Sequence, residues 1–196
     1  MQKDNMKKRP MLRGKIEEII YAQLEAGEDL LRALWDICRQ NDVKTGILLD
    51  ATGSMAKVRI QRYPHEPREG GIESIDYVEI PGPLEVSAHG IIGIGWVPDK
   101  SVTPSPALAR GGGHTGFGAG GWEGHETPYL HVHITVSSAS QTVCGHLMEG
   151  SLLNLTNHNG KADVPSHFTV AIAKVSEVIL RATFDKSGYY HELIRA

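Results

Sequence analysis

The chain lacks the features that mark membrane, secreted and disulfide-stabilised proteins. It has only two cysteines, Cys38 and Cys144, in 196 residues, so no disulfide framework is expected. It has no run of about 18 apolar residues, which excludes a predicted transmembrane helix. The N-terminus also lacks the apolar core of a signal peptide. We therefore expect a cytoplasmic protein with no membrane partner.

Aromatic residues and net charge are also low. Aromatic side chains make up 6% of the chain and the formal net charge is −3. Neither a stacking platform for single-stranded nucleic acid nor a global attraction to DNA is therefore indicated. The segment from Gly111 to Gly116 fits G-x-G-x-x-G, but it neither follows a clear strand nor opens a helix. A phosphate-binding loop is not predicted.

Histidine, by contrast, is abundant, with ten residues, and three of them form a metal-site pattern. The segment from Leu130 to Val136 alternates and is rich in β-branched residues, so His131 and His133 project from one face of a predicted strand. A hairpin with a four-residue loop would set His133 opposite His146 on the next strand. Three neutral imidazoles with an open coordination position favour zinc, although other divalent transition metals also accept imidazole.

Three other side chains are candidates for supporting roles. His89, on a predicted strand, and Cys144, two residues before His146, are candidates for a fourth ligand or for a contact with the ligands. The competing interpretations are a hydrogen-bonded sheet histidine for His89 and a small core residue for Cys144. Glu85 is a candidate general base on a metal-bound water, or a structural carboxylate at a subunit contact.

The sequence predicts one α+β domain. Residues 1–13 are expected to form a flexible basic tail and residues 14–196 a single domain. A Gly/Pro-rich insertion around residues 96–127 holds two of the ten histidines. One amphipathic helix is predicted to open at Gly27-Glu28-Asp29, which supplies acids to its first turn. The remaining pattern predicts a mostly antiparallel sheet packed with that helix.

Two predicted turns divide the middle of the chain into short strands. Strands over residues 45–49 and 56–62 are separated by a turn at Gly53-Ser54. Strands over residues 75–80 and 84–94 flank a turn at Pro81-Gly82-Pro83. Further strands are predicted over residues 15–24, in the histidine hairpin, and near residues 152–156, 169–173 and 178–184.

Several motifs resemble, in order and spacing, those of the PPC ("plants and prokaryotes conserved") domain, in particular its stand-alone prokaryotic type, related to the domain of AT-hook nuclear-localised proteins. The matching residues are Gly27-Glu28-Asp29-Leu30-Leu31, Gly46, Thr52-Gly53-Ser54, Gly82 to Ser87 with Gly90, and Gln141 to Gly150. The resemblance implies an antiparallel sheet of about seven strands with one main helix, assembled as a homotrimer. It also implies that His131, His133 and His146 are the metal ligands.

We therefore interpret the chain as a homotrimeric metal-binding protein, with zinc as the cofactor and a DNA-binding or regulatory role. Lys57, Arg59 and Arg62 are expected to form a basic stripe for DNA. The Arg-Gly-Arg-Pro core of the plant AT-hook is not present as such, since Lys8-Arg9-Pro10 and Arg13-Gly14-Lys15 are separate fragments.

Two alternatives stay open at the sequence level. The first is a metal-dependent enzyme, or a protein that binds a small molecule at an open three-histidine site. The second is a structural metal in an interaction scaffold. Because no Ser, His and Asp arrangement stands out, a non-catalytic role is favoured over an enzymatic one.

Overall fold

The computed structural model describes residues 9–62, 76–95, 127–155, 167–185 and 188–196. Within them the chain forms one helix, α1 (Leu30–Gln40), and nine strands. The strands are β1 (Lys15–Gln23), β2 (Gly46–Arg62), β3 (Asp76–Gly95), β4 (Thr127–Ser137), β5 (Thr142–Leu147), β6 (Leu152–Leu153), β7 (Thr169–Ser176), β8 (Val178–Asp185) and β9 (Gly188–Arg195). None of the described helical residues forms a segment with the length and apolar character needed to span a bilayer.

Parts of two predicted segments lie outside the described residues. These are residues 1–8 of the predicted basic tail and residues 96–126 of the predicted Gly/Pro-rich insertion, together with its two histidines. The division of the chain into a tail and a single domain stays a prediction.

Helix α1 forms where the apolar spacing predicts it. Asp29 is its N-cap, and the Asp29 carboxylate accepts a hydrogen bond from the backbone N–H of Arg32 at 3.1 Å, which satisfies one of the donors left free at a helix start. The expectation of acids in the first turn is wrong, because Asp29 precedes that turn and no acid lies within it. The apolar face of α1 is buried in the main core, at Leu30, Leu31, Ala33, Leu34 and Cys38.

The strands form one sheet in the order β1-β7-β2-β5-β4-β3-β8-β9, with β6 paired to β2. Strand β2 also pairs with β3, so strands β2, β3, β4 and β5 form a closed circuit of hydrogen-bonded neighbours. This closure is possible because β2 has 17 residues. Its first half pairs with β7 and its second half pairs with β5.

The predicted sheet of about seven antiparallel strands is wrong in two respects. Nine strands are present in the described residues, and β3 pairs with β8 in parallel at Ile94 and Gly95. The chain also does not reverse direction at either of the two predicted turns. Gly53 lies inside β2, paired with Val86, and the Gly82 segment lies inside β3. The broader prediction, a mostly antiparallel sheet with one helix, is confirmed for the described residues.

The outer face of the sheet carries a lateral row of apolar residues that ends at a histidine. Successive cross-strand partners in this row are Ile19, Ala173, Ile47, Ile91 and His131. The isoleucines keep 47%, 42% and 40% of their surface exposed in that order. The candidate site therefore adjoins a row of partly exposed isoleucines, interrupted by the buried Ala173.

Candidate metal centre

Strict alternation along β4 places His131 and His133 on the outer face of the sheet. Their neighbours Leu130, Val132 and Ile134 are at most 1% exposed and belong to the core. His131 is partly buried and His133 is exposed. Because side chains two residues apart share one face of a strand, the burial of the apolar residues turns both imidazoles outward together.

The hairpin between β4 and β5 brings the third histidine into place. A hydrogen bond from the Ser138 N–H to the Gln141 carbonyl, at 2.9 Å, closes the loop, and Ser137 pairs with Thr142. In this register His133 lies directly opposite His146. The hairpin and the cross-strand position of His146 were both predicted from the sequence and are confirmed.

The three imidazoles converge on a single point. One potential ligand atom from each of His131, His133 and His146 lies within 4.8 Å of the others. The Nε2 atoms of His131 and His133 are 3.3 Å apart. The ring centre of His146 is 4.9 Å from that of His131 and 5.6 Å from that of His133. We call these three residues the three-histidine cluster.

The cluster fits a transition-metal ion. Zinc–nitrogen bonds of about 2.0–2.1 Å at tetrahedral angles place two donor nitrogens about 3.3 Å apart, which is the separation of the His131 and His133 Nε2 atoms. The His146 ring lies close enough to complete a triangle of donors with a small movement of its side chain. Imidazole donors suit zinc, copper, nickel and iron alike, so the geometry allows a metal without selecting one.

Burial and the neighbouring histidines lower the pKa of two imidazoles in the cluster, His131 and His146. Burial, with smaller contributions from the neighbouring His131 and His133, lowers the pKa of His146 to about 3. Burial likewise lowers the pKa of His131, with smaller contributions from His133 and His191. A neutral imidazole keeps the lone pair that a metal needs, so His131 and His146 are available as donors at neutral pH.

The chain matches a protein-family model over most of its length. The model of the Plants and Prokaryotes Conserved (PCC) domain, also abbreviated PPC, matches residues 11–158. The chain belongs to this family. No curated protein matches the chain at the sequence level. The resemblance predicted from the sequence is therefore confirmed through the family model.

Solved structures show the same fold as this PCC chain at low sequence identity. A metal-containing protein from Archaeoglobus fulgidus shares 14% identity with a TM-score of 0.61, over 95% of this chain and 100% of that chain. A plant- and prokaryote-conserved protein from Pyrococcus horikoshii shares 13% identity with a TM-score of 0.61, over 95% of this chain and 99% of that chain. A proposed DNA-binding protein from Bacteroides thetaiotaomicron shares 13% identity with a TM-score of 0.57, over 92% of this chain and 94% of that chain.

Two residues beside the cluster, Tyr129 and His191, were not predicted from the sequence. The Tyr129 hydroxyl lies 2.9 Å from His131 Nδ1 and 3.0 Å from His191 Nε2. Alternation along β4 could have indicated Tyr129, which is two residues before His131. His191 carried no such signal, because it lies on β9, a strand that was not predicted and that follows the residues matched by the PCC family model.

The three predicted supporting residues do not join the cluster. His89 pairs with His133 across β3 and β4 and is exposed. Cys144 pairs with Thr135 and is also exposed, so its alternative interpretation as a core residue is wrong. Glu85 is exposed farther along β3. Among the described residues, the group of converging ligand atoms contains only the three histidines.

The predicted basic stripe on β2 is divided between two faces and is partly neutralised. Regular pairing from Lys57 to Arg62 places Arg62 on the alternate face from Lys57 and Arg59, because side chains alternate along a strand. The Lys57 ammonium lies 3.7 Å from the Glu79 carboxylate, and the Arg59 guanidinium lies 5.4 Å from the centre of the Tyr77 ring. The Glu79 carboxylate opposes the charge of Lys57, whereas the Tyr77 ring contacts Arg59 without cancelling its charge.

Proposed function

We propose that this PCC-family chain is a metal-binding protein that holds a transition-metal ion, with zinc favoured, at His131, His133 and His146. The observation that carries the proposal is the convergence of the three ligand atoms within 4.8 Å. The metal-containing description of the Archaeoglobus relative supports it. A zinc ion bound there would act as a Lewis acid and would lower the pKa of a coordinated water.

Elemental analysis of the purified protein tests this proposal. We expect about one transition-metal ion per chain in the wild type and almost none in a His131→Ala, His133→Ala double variant, because one ligand alone holds zinc weakly. Thr135→Ala is a matched control on the same strand and should retain the metal. A metal content that does not differ between the double variant and the wild type would contradict the proposal.

We further propose that the chain assembles as a homotrimer through its outer sheet face. The row of Ile19, Ala173, Ile47 and Ile91 crosses four adjacent strands, and its three isoleucines are 40–47% exposed whereas Ala173 is buried. A contiguous apolar patch of this kind is typical of a protein–protein interface. The resemblance to the PCC family supports three copies.

Light scattering during size-exclusion chromatography tests the assembly. The wild type is expected to elute with the mass of three chains. Ile47→Asp places a charge in the apolar row and should release monomers. Ser140→Asp, in the exposed β4–β5 loop, is the matched control and should remain trimeric. A monomeric wild type would exclude this assembly.

For the biological role we propose DNA binding or regulation. The support is the description of two structural neighbours, from Bacteroides thetaiotaomicron and Ralstonia eutropha, as proposed DNA-binding proteins. The ion pair of Lys57 with Glu79 argues against strong binding by the β2 face alone. Any affinity is therefore expected to be modest and to fall steeply with salt.

Fluorescence anisotropy with a labelled DNA duplex measures this affinity. Each phosphate contact contributes a slope of about −0.9 in a plot of log affinity against log salt concentration. Combined replacement of Lys57, Arg59 and Arg62 by glutamine should reduce both the affinity and the slope. Absence of binding at about 50 mM salt would exclude DNA as a partner.

One observation favours the alternative of a metal-dependent enzyme or a small-molecule binder. Since His89, Cys144 and Glu85 stay outside the cluster, a three-histidine site keeps one coordination position open. In a cobalt-substituted sample, azide should then shift the visible absorption bands. Bands that do not respond to azide would instead indicate a closed, structural metal.

A further inference from the structure

Tyr129 places a buried hydroxyl between two histidines of different strands. The residue is 2% exposed. Its hydroxyl oxygen is within hydrogen-bond distance of His131 Nδ1 on β4 and of His191 Nε2 on β9. His131 is thus contacted at both ring nitrogens, by Tyr129 at Nδ1 and by His133 at Nε2, 3.3 Å away.

The single hydroxyl hydrogen of Tyr129 restricts which groups donate and which accept in its hydrogen bonds with His131 and His191. A phenol has one hydrogen to donate, so the Tyr129 hydroxyl can donate to at most one of the two flanking nitrogens, and at least one of them donates to its oxygen. If His131 donates from Nδ1–H, its Nε2 keeps a lone pair toward the three-histidine cluster, and the Tyr129 hydroxyl can donate to His191. If Tyr129 instead donates to His131, a neutral His131 carries its hydrogen on Nε2, where it would block a metal.

We propose that Tyr129 and His191 are positioning residues for the metal site. Tyr129 accepts a hydrogen bond from His131 Nδ1–H and so holds the Nε2 lone pair of His131 toward the cluster. His191 accepts the Tyr129 O–H hydrogen bond and fixes the hydroxyl in that orientation. This inference rests on the proposed metal-binding function, and it deepens that function by assigning the contacts that orient one ligand.

The placement of the two residues suits this role. A metal-bound histidine usually donates its other ring N–H to a fixed acceptor, and loss of that acceptor typically weakens metal affinity about 10- to 100-fold. The buried Tyr129 is fixed by packing, whereas an exposed acceptor such as water would not be. His191 contributes from the hairpin of β8 and β9, so the C-terminal strand takes part in a site whose ligands all lie on β4 and β5.

Zinc affinity, measured by competition with a chromophoric chelator, tests the proposal. Tyr129→Phe keeps the ring but removes the acceptor, and we expect zinc affinity to fall about 10- to 100-fold. His191→Ala should also lower the affinity. His191→Gln should restore most of it, because the glutamine amide oxygen can accept the Tyr129 hydrogen bond. Tyr21→Phe, at a tyrosine that is 74% exposed on β1, is the matched control.

A spectroscopic readout separates positioning from a general loss of stability. In the zinc-loaded wild type, the Nδ1–H proton of His131 should give a hydrogen-bonded, slowly exchanging NMR signal. That signal should disappear in Tyr129→Phe while the ring signals of His133 and His146 persist. A variant that is merely less stable would keep the signal.

The possible outcomes distinguish this inference from the proposed function. If the wild type binds no metal, both are overturned. If the wild type binds zinc and the double histidine variant does not, but Tyr129→Phe keeps wild-type affinity and the His131 signal, only the positioning role is overturned. Reduced affinity together with a lost His131 signal in Tyr129→Phe, and recovery in His191→Gln relative to His191→Ala, supports the inference.

Discussion

Gly90 of β3 lies against the backbone of β4 at the level of the proposed ligands. The register pairs Gly90 with Val132, the residue between His131 and His133. A Cβ atom added at Gly90 would lie 2.3 Å from the carbonyl oxygen of His131 and 2.8 Å from the Cα atom of Val132. Both are backbone atoms, so Gly90→Ala can be accommodated only if β3 and β4 separate.

The distances set the magnitude of the effect. Non-bonded contacts with carbon are comfortable at about 3.5 Å, so the strands must part by about 1 Å at this point. Overpacking typically costs about 1–3 kcal/mol, and we expect the upper end, because a backbone cannot rotate away as a side chain does. A loss of about 3 kcal/mol corresponds to a change of about 150-fold in the unfolding equilibrium.

Urea unfolding of the metal-free protein measures this loss. Ser87→Ala, at an exposed position on the same strand, is the control and should stay within about 0.5 kcal/mol of the wild type. Zinc at about 100 times its dissociation constant should stabilise the wild type by about 2.7 kcal/mol, and the same zinc concentration should stabilise Gly90→Ala less. A Gly90→Ala variant as stable as the wild type would refute the close approach of β3 and β4.

Two further predictions concern residues outside the cluster. Burial raises the pKa of the Cys38 thiol to about 12, whereas Cys144 is exposed. Native protein should therefore react with iodoacetamide at Cys144 alone, and zinc should not slow this reaction. Protection of Cys144 by zinc would instead identify it as a ligand. Burial, with a smaller contribution from the Glu149 charge, raises the pKa of Asp29 above 3.8 against the opposing hydrogen bonds from Gly150 and Arg32. The folded state then holds this proton more tightly than the unfolded state, so the contribution of Asp29 to stability is greatest below pH 3.8 and falls as pH rises through the raised pKa. The stability advantage of wild type over Asp29→Asn, measured by urea unfolding, should consequently be larger at about pH 4 than at about pH 7, and an advantage that grows with pH would show that the hydrogen bonds outweigh burial.

The histidine site could be predicted from the sequence because it depends on local rules. Alternation along one strand determines that His131 and His133 share a face. The length of a tight hairpin loop then determines which residue of the next strand lies opposite His133. Neither step needs knowledge of the rest of the fold.

Features that depend on distant pairing could not be predicted in this way. Gly53 and Gly82 suggested turns because glycine and proline usually interrupt strands, yet β2 and β3 run through both positions, held by partners on neighbouring strands. His191 comes close to Tyr129 and His131 because β8 pairs in parallel with the end of β3 and also pairs with β9, the strand of His191. No local pattern around His191 indicates that pairing.

The position of the cluster links the proposed metal binding to the proposed assembly. His131 pairs with Ile91, the last residue of the exposed apolar row, and adjacent strands are about 4.8 Å apart. A second copy that covers Ile47 and Ile91 would therefore lie against the proposed metal site. The proposed homotrimer and the open-site alternative thus make opposite demands on one surface. If the trimer restricts access, azide should bind cobalt-loaded Ile47→Asp monomers faster than the wild-type trimer. Equal rates would show that the cluster stays accessible in the assembly, which the small-molecule alternative requires.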